Sequence, residues 1–214
     1  MGTLYVIDGL DGSGKSTQFE RLCREHSEYM GISFPEYDKP SAALVKMYLN
    51  GEFSKDPADV NAYAASTFYA ADRYASYKLC WEKPYLAGTP VLASRYVSSN
   101  IIHQMPKLPE VEWDGFIAWL RDYEYDKMGL PRPDKVILLD IPVEVSQRRL
   151  SQRYAADGGH RDIHESDTAY MEHCRRAALY AAQRCGWTVI SCAPDGEELS
   201  PEEVYAFIER ALAL

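Results

Sequence analysis

The chain has 214 residues, 46% of them hydrophobic and 26% charged, with a formal net charge of −9; that length supports one domain with a full apolar core, and no apolar run approaches the roughly 18 residues of a membrane span. The acidic balance argues against a protein held on DNA or RNA through phosphate neutralisation, although a nucleotide needs only a local cluster of positive groups. Five scattered cysteines with no C-x-x-C pair suit a reducing compartment and give no zinc signal, and the first ten residues read as a strand rather than a signal peptide, so a cytoplasmic location is expected.

Residues 4–7 form a short apolar run ending at Asp8-Gly9 and predict a buried parallel strand. A helix is expected over 15–28, a second strand over 31–34 stopped by Pro35, and a short helix over 41–50 with Gly51 past its end. Asp56-Pro57 reads as the opening of a long helix, closed by Pro84 and Gly88. Val60, Ala64, Phe68, Ala71, Ala75 and Leu79 recur near the helical period and mark its core-facing stripe. A third strand at 91–93 leads to helical pieces over 101–125, broken near Pro106 and Pro109. A fourth strand over 135–139, helices over 143–154 and 167–185, a fifth strand over 188–191 and a closing helix over 201–212 complete the order. Between those two helices, 155–165 reads as a polar loop. Strands alternating with helices predict an α/β fold with a parallel sheet covered on both faces, and no repeat or linker divides it.

Residues 9–16 read GLDGSGKS, the pattern G-x-x-x-x-G-K-[ST]. Gly9, Gly12 and Gly14 allow backbone turns that side chains would forbid, so that N–H groups, including those of Asp11 and Ser13, form a nest for phosphate oxygens. The following helix aims its positive end at the same point. Lys15 adds a charge for the β- and γ-phosphates, Ser16 offers a hydroxyl to Mg²⁺, and Thr17 hydrogen-bonds a phosphate. Nucleoside triphosphate binding follows.

Further stretches bear on the acceptor: FPEY at 34–37, YLNGEF at 48–53, YAADR at 69–73, SRYVSSN at 94–100 with HQ at 103–104, and RDIHE at 161–165. Together with GLDGSGKST at 9–17, their order and spacing resemble the thymidylate kinases over essentially the whole chain. The resemblance implies a three-layer α/β/α P-loop kinase fold with a five-stranded parallel sheet and a mobile lid at about 149–166. It also implies transfer from ATP to dTMP, a Mg²⁺ requirement and a homodimer. Tyr69 and Arg73 lie four apart on one helix face, read as the non-core face, where they can stack on a base and bind its carbonyls. Arg95, beyond the third strand, can clamp the acceptor phosphate. Asn100 and Gln104 can read a pyrimidine edge, with Ser99 beside them. By the resemblance, Asp11 contacts the acceptor sugar and the magnesium water shell, and Phe34 and Pro35 form a turn beside the acceptor.

Arg149 and Arg153 share a helix face, and Arg161 lies in the glycine-rich loop beyond. Gly12 stands where some family members carry a cradle arginine, so the lid is expected to supply the catalytic charge: Arg149 on adenine, Arg153 and Arg161 on the phosphates, with Lys15 and Asp11 completing the catalytic set. Asp162 and Glu165 are read as orienting the lid or touching the acceptor sugar. Ser94 departs from the family, which has Asp before Arg-Tyr; it can hold a water but adds no charge. Two other readings are a kinase for another pyrimidine nucleotide or nucleoside, and a nucleotide-binding protein without catalysis.

Overall fold

The computed structural model describes residues 1–54, 56, 59–157 and 167–214. The five apolar runs become strands β1 (Leu4–Gly9), β2 (Met30–Ser33), β3 (Val91–Ser94), β4 (Lys135–Asp140) and β5 (Thr188–Ser191). All pair in parallel, in the order β2–β3–β1–β4–β5. β1 sits at the centre, with Val6 opposite Ala93 on one side and Val136 on the other. Parallel strands need crossovers, and the crossovers are helices that cover both faces. Alternation along the strands divides the core accordingly. Ile7, Leu92, Ile137 and Leu139 pack with Leu22 and Ile208 of helices α1 (Lys15–Glu25) and α9 (Pro201–Leu212). Leu4, Val6, Val91 and Ala93 pack on the opposite side with Trp81, Ile101 and Ala177.

That second layer is built by α3 (Ala62–Ser76), α4 (Glu82–Leu86), α5 (Val97–His103), α6 (Trp113–Arg121) and α8 (Thr168–Cys185). A wide π-type turn over Tyr77–Trp81 joins α3 to α4 without a break, and another over Asp122–Lys127 extends α6. Helix ends follow local chemistry. Asp167 accepts from the Tyr170 N–H at the start of α8, Gly186 ends it at φ 70°, and Ser200 and Glu203 form a reciprocal cap on α9.

The long helix departs from the sequence expectation twice. It begins at Ala62, because the Asn61 side chain accepts from the Ala64 N–H; Asp56 lies in a bend before it, and Pro57 is outside the described residues. The apolar stripe is also not its buried side. Ala71 and Leu79 are exposed, Leu79 at 84%, while Ala65, Ser66, Ala70, Asp72, Arg73 and Ser76 face inward. Asp72 explains part of this: it accepts from the Glu36 N–H at 2.9 Å and the Ser41 hydroxyl at 2.6 Å, tying β2's outgoing turn to α3.

Lys107 ties helix α2 (Ala43–Leu49) to the segment before α3, donating to the Tyr48 hydroxyl and the Val60 carbonyl, each at 2.7 Å. Burial pushes its ammonium down to about 8 from 10.5. The folded state therefore binds fewer protons than the unfolded one between those values, and stability rises with pH across that window. Urea unfolding at pH 7.5 and pH 10 is expected to show the unsubstituted chain gaining stability relative to Lys107→Met as pH rises. An equal difference at both values would place the ammonium in water.

Candidate functional site

The site forms where β1, β3 and β4 end, on the carboxyl side of the sheet, the usual ligand position in open α/β folds. The chain leaves β1 through residues 9–14 and enters α1 at Lys15. Gly12 holds φ 78°, and a Cβ placed there would stand 2.8 Å from the Ser146 carbonyl oxygen of helix α7 (Val143–Asp157). The loop is pressed against α7 at this point, and the Ser146 hydroxyl donates to the Asp11 carbonyl at 2.5 Å. A larger residue at position 12 meets backbone, so a cradle arginine has no room. Gly12→Ala is expected to cost about 1–3 kcal/mol of stability from the left-handed backbone and the contact together. Thermal unfolding measures it; an unchanged Tm would show that α7 yields.

Four charges converge on the loop. Lys15, 5% exposed, donates from Nζ to the Leu10 carbonyl and to Asp11 Oδ1, each at 3.1 Å. Arg95 donates to Asp11 Oδ1 through one terminal nitrogen, and the other lies 3.1 Å from His103 Nε2. Burial works against the Asp11 carboxylate, but Arg95 and then Lys15 more than reverse it and hold the group well below the usual carboxylate range. Burial, then Arg95, push the Lys15 ammonium down, and Asp11 and Asp8 partly restore it. Asp8 is fully buried and accepts from the hydroxyls of Ser98 and Ser99 and from the Gly9 N–H. It joins the loop to the start of α5.

A cleft of about 1030 Å³ runs over the loop, with residues 11–18, Ser94, Arg95, Arg149 and Arg153 in its walls. Ser16 and Thr17 are exposed in it. Arg149 reaches across: it pairs with Glu198 at 2.7 Å, and a terminal nitrogen donates to the Gly12 carbonyl at 3.3 Å. Arg153 donates to the Tyr154 hydroxyl at 2.8 Å and lies over that ring. A narrower recess opens from the cleft, walled by Phe34, Pro35, Tyr69, Arg73, Asn100 and Gln104, with Ser99 and Leu49 at its edges. Asp11 and Arg95 line both spaces. The Phe34–Pro35 peptide is cis, and Tyr69 stands edge-on to Tyr48.

Arg73 corrects the sequence reading. It shares the recess with Tyr69, but from inside: the side chain is 1% exposed, and Nε and one terminal nitrogen donate to the two Glu124 oxygens at 2.7 and 2.6 Å. Burial disfavours its charge, and Glu124 more than offsets that. Removing either partner would leave the other charge buried alone, at about 3–5 kcal/mol.

The sequence-predicted site residues within the described set thus lie in the loop, the cleft above it or the recess that opens beside it. Arg161, Asp162 and Glu165 lie outside the described residues. The sequence does not single out Asp8, His103, Glu124 or Tyr37, the last of which lines both cleft and recess. Tyr37 and His103 stand within the FPEY and HQ motifs, and Asp8 stands directly before the 9–17 motif, so proximity to these motifs is the available signal. Glu124 sits among charged and aromatic residues with no pattern to separate it from a solvated face. Among the described residues, no cluster of three or more His, Cys, Asp or Glu is arranged to hold a metal ion. A divalent cation here would draw its ligands mainly from nucleotide phosphates and water, which suits Mg²⁺ and the exposed Ser16 hydroxyl.

The thymidylate kinase family model matches residues 7–202. The chain belongs to the thymidylate kinase family. A thymidylate kinase of Mycobacterium tuberculosis is 31% identical over 212 residues, covering 92% of this chain and 95% of that protein. One from Caenorhabditis elegans is 29% identical over 157 residues, covering 69% and 67%. Among solved structures, a thymidylate kinase from Candida albicans superposes with a TM-score of 0.75 over 99% of this chain and 91% of its own, at 21% identity, so the fold is shared far beyond the sequence. Family membership makes this chain an ATP-dependent nucleoside-monophosphate kinase acting on dTMP. No helix among the described residues is long and apolar enough to cross a membrane.

Proposed function

We propose that this kinase moves the γ-phosphoryl group of ATP in line onto the phosphate of dTMP, across the junction between cleft and recess. The observation that carries this is the sharing of Asp11 and Arg95 by the two spaces: a triphosphate tail over residues 9–17 and a monophosphate beside Arg95 would meet there. The acceptor oxygen is already ionised at neutral pH, so no strong general base is needed, and positioning and charge supply the catalysis. Lys15 holds the β- and γ-oxygens, Ser16 would join a Mg²⁺ ion bound with ATP, and that ion would neutralise charge on the phosphate oxygens. Arg149 lies toward the adenine side, Arg153 toward the phosphates, and Arg161 takes its role from the resemblance alone. In the recess, Tyr69 stacks on the base, Arg73, Asn100 and Gln104 read its edge, and Phe34, Pro35 and Ser99 frame the nucleotide. Ser94, 4% exposed at the end of β3, adds no charge, and Asp11, in the wall of the cleft, is the carboxylate for the metal's water shell. ADP release coupled to a dye-forming reaction, with dTMP, dUMP, dCMP and thymidine as acceptors, tests the assignment. dTMP should lead; turnover of thymidine over dTMP would reject the phosphate clamp.

A homodimer follows from the same reading, and the exposed stripe supports it. Ala71 and Leu79 are exposed along one side of α3 and its extension, with Ala75 half-buried between them and Phe68, against the Phe53 and Tyr48 rings, at the end of the row. A second copy would cover them. Sedimentation is expected to give twice the chain mass, and Leu79→Glu to shift it to monomer at micromolar concentration. A monomeric unsubstituted chain would end the idea. A cytoplasmic setting accords with this chemistry, which needs ATP.

A further inference from the structure

We infer that Glu124 is a positioning residue that sets the hydrogen-bond polarity of the base recess, so that it accepts a pyrimidine with a protonated N3 and a 4-keto oxygen and rejects one with a bare N3 and a 4-amino group. The inference rests on the recess being the acceptor-base site. It deepens that reading by naming the residue that gives the recess its choice.

Three helical segments meet here. Arg73 comes from α3, Asn100 from α5, and Glu124 from the wide turn after α6. Glu124 is fully buried. Its Oε1 accepts from Arg73 and also from Asn100 Nδ2 at 3.1 Å, and the same Nδ2 donates to the Ser66 carbonyl at 3.2 Å. A carboxylate and a carbonyl can only accept, so both face the amide nitrogen and its oxygen is the polar atom left for the recess. Glu124 thereby turns Asn100 into an acceptor toward the ligand. It does the converse for Arg73. Of the five N–H groups of a guanidinium, two go to Glu124 and one to the Tyr96 carbonyl at 3.3 Å. The remaining two are left as donors, and Arg73 lines the recess.

The recess thus offers donors from Arg73 beside an acceptor from Asn100. A 4-keto pyrimidine presents the complement, an acceptor oxygen beside an N3–H. A 4-amino pyrimidine presents a donor amine beside a bare nitrogen, and both contacts reverse to repulsion. Sites built around such polar groups reject mismatched ligands strongly, because the buried partners are left unpaired. Thymine and uracil share the same edge, so this device is indifferent to the 5-methyl group.

The test is steady-state kinetics of the full chain at saturating ATP with dTMP, dUMP and dCMP, using competitive inhibition constants where dCMP is not turned over. Glu124→Gln is expected to lower the dTMP-to-dCMP preference at least about tenfold while moving the dTMP-to-dUMP preference by less than about twofold. Asn100→Ala should lower the first preference comparably, and the double variant should lose little more, since one acts through the other. An unmoved dCMP preference, both preferences falling together, or simple additivity of the two substitutions would overturn the role. Should the glutamine variant not fold, Glu124→Asp keeps the charge Arg73 needs while withdrawing from the amide. The same pattern is then expected at about threefold or more, and its absence is equally decisive. Lack of dTMP turnover in the unsubstituted chain would instead strike the recess assignment.

Discussion

Lys15→Ala is expected to lower kcat by roughly a thousandfold, the scale of losing one preorganised charge at a reacting centre, while the KM for dTMP stays within about threefold. The reasoning starts from where the ammonium sits. Lys15 opens α1 on the cleft side of the loop, 5% exposed, and its contacts are the Leu10 carbonyl and Asp11. Both belong to the loop, so the substitution leaves the recess walls in place. Asp11 keeps Arg95, the largest of the charges that hold its carboxyl down, and the junction with the acceptor survives. What disappears is a cation aimed at the oxygens on which charge spreads during transfer. Circular dichroism should show an unchanged fold. Steady-state kinetics decide: a loss carried wholly by the dTMP KM would place Lys15 on the acceptor side and reverse its assignment.

Much of this arrangement is legible in the linear chain, and the exceptions have physical causes. The central strands β1, β3 and β4 are legible because each is a short apolar run buried on both faces, with no polar alternation to confuse the reading, and the edge strands β2 and β5, which bury only Ile32 and Ile190, are legible from the breaks that bound them. The 9–16 loop is legible because its glycines are demanded by close approaches, such as that of position 12 to Ser146. The start of α3 is not, since Asp56 and Asn61 are both good caps and only the folded chain places an amide oxygen against the Ala64 N–H. The phase of α3 was misread for a deeper reason. Periodicity shows that a helix has two faces and not which one the protein buries; here the apolar stripe is left half-buried or exposed, and Asp72, Arg73 and Ser76 face inward because each finds a partner there, while the Ser66 hydroxyl bonds back to the Ala62 carbonyl of its own helix. Glu124 was illegible altogether. Its burial is created by a wide turn and by an arginine 51 residues away, and no local pattern encodes a pairing at that distance.

Arg95→Ala is expected to raise the dTMP KM about a hundredfold, the worth of a bidentate charge-assisted contact, with a smaller fall in kcat. Arg95 follows β3 with φ 64°, a left-handed conformation costly for a residue with a Cβ. Its N–H is held by the Ile7 carbonyl at 2.9 Å, which fixes that turn and sends the guanidinium toward the junction of cleft and recess. Burial disfavours its charge, and Asp11 and then Asp8 more than compensate, so the guanidinium stays cationic. The same substitution has a consequence for pH. In the intact protein the Asp11 carboxyl titrates below its unfolded value of 3.8, so the stability it contributes is fully present above that value and is lost as pH falls through the lower, folded one. Without Arg95 the depression shrinks, and the contribution shrinks with it. The stability deficit of Arg95→Ala should therefore be larger at pH 6 than at pH 3, where Asp11 is mostly protonated in the unfolded chain and the advantage fades. Denaturant unfolding at the two pH values reads this directly, independently of any substrate. A deficit that does not change with pH would mean that Arg95 and Asp11 are not coupled as their contact indicates, and an unchanged dTMP KM would remove Arg95 from the acceptor site.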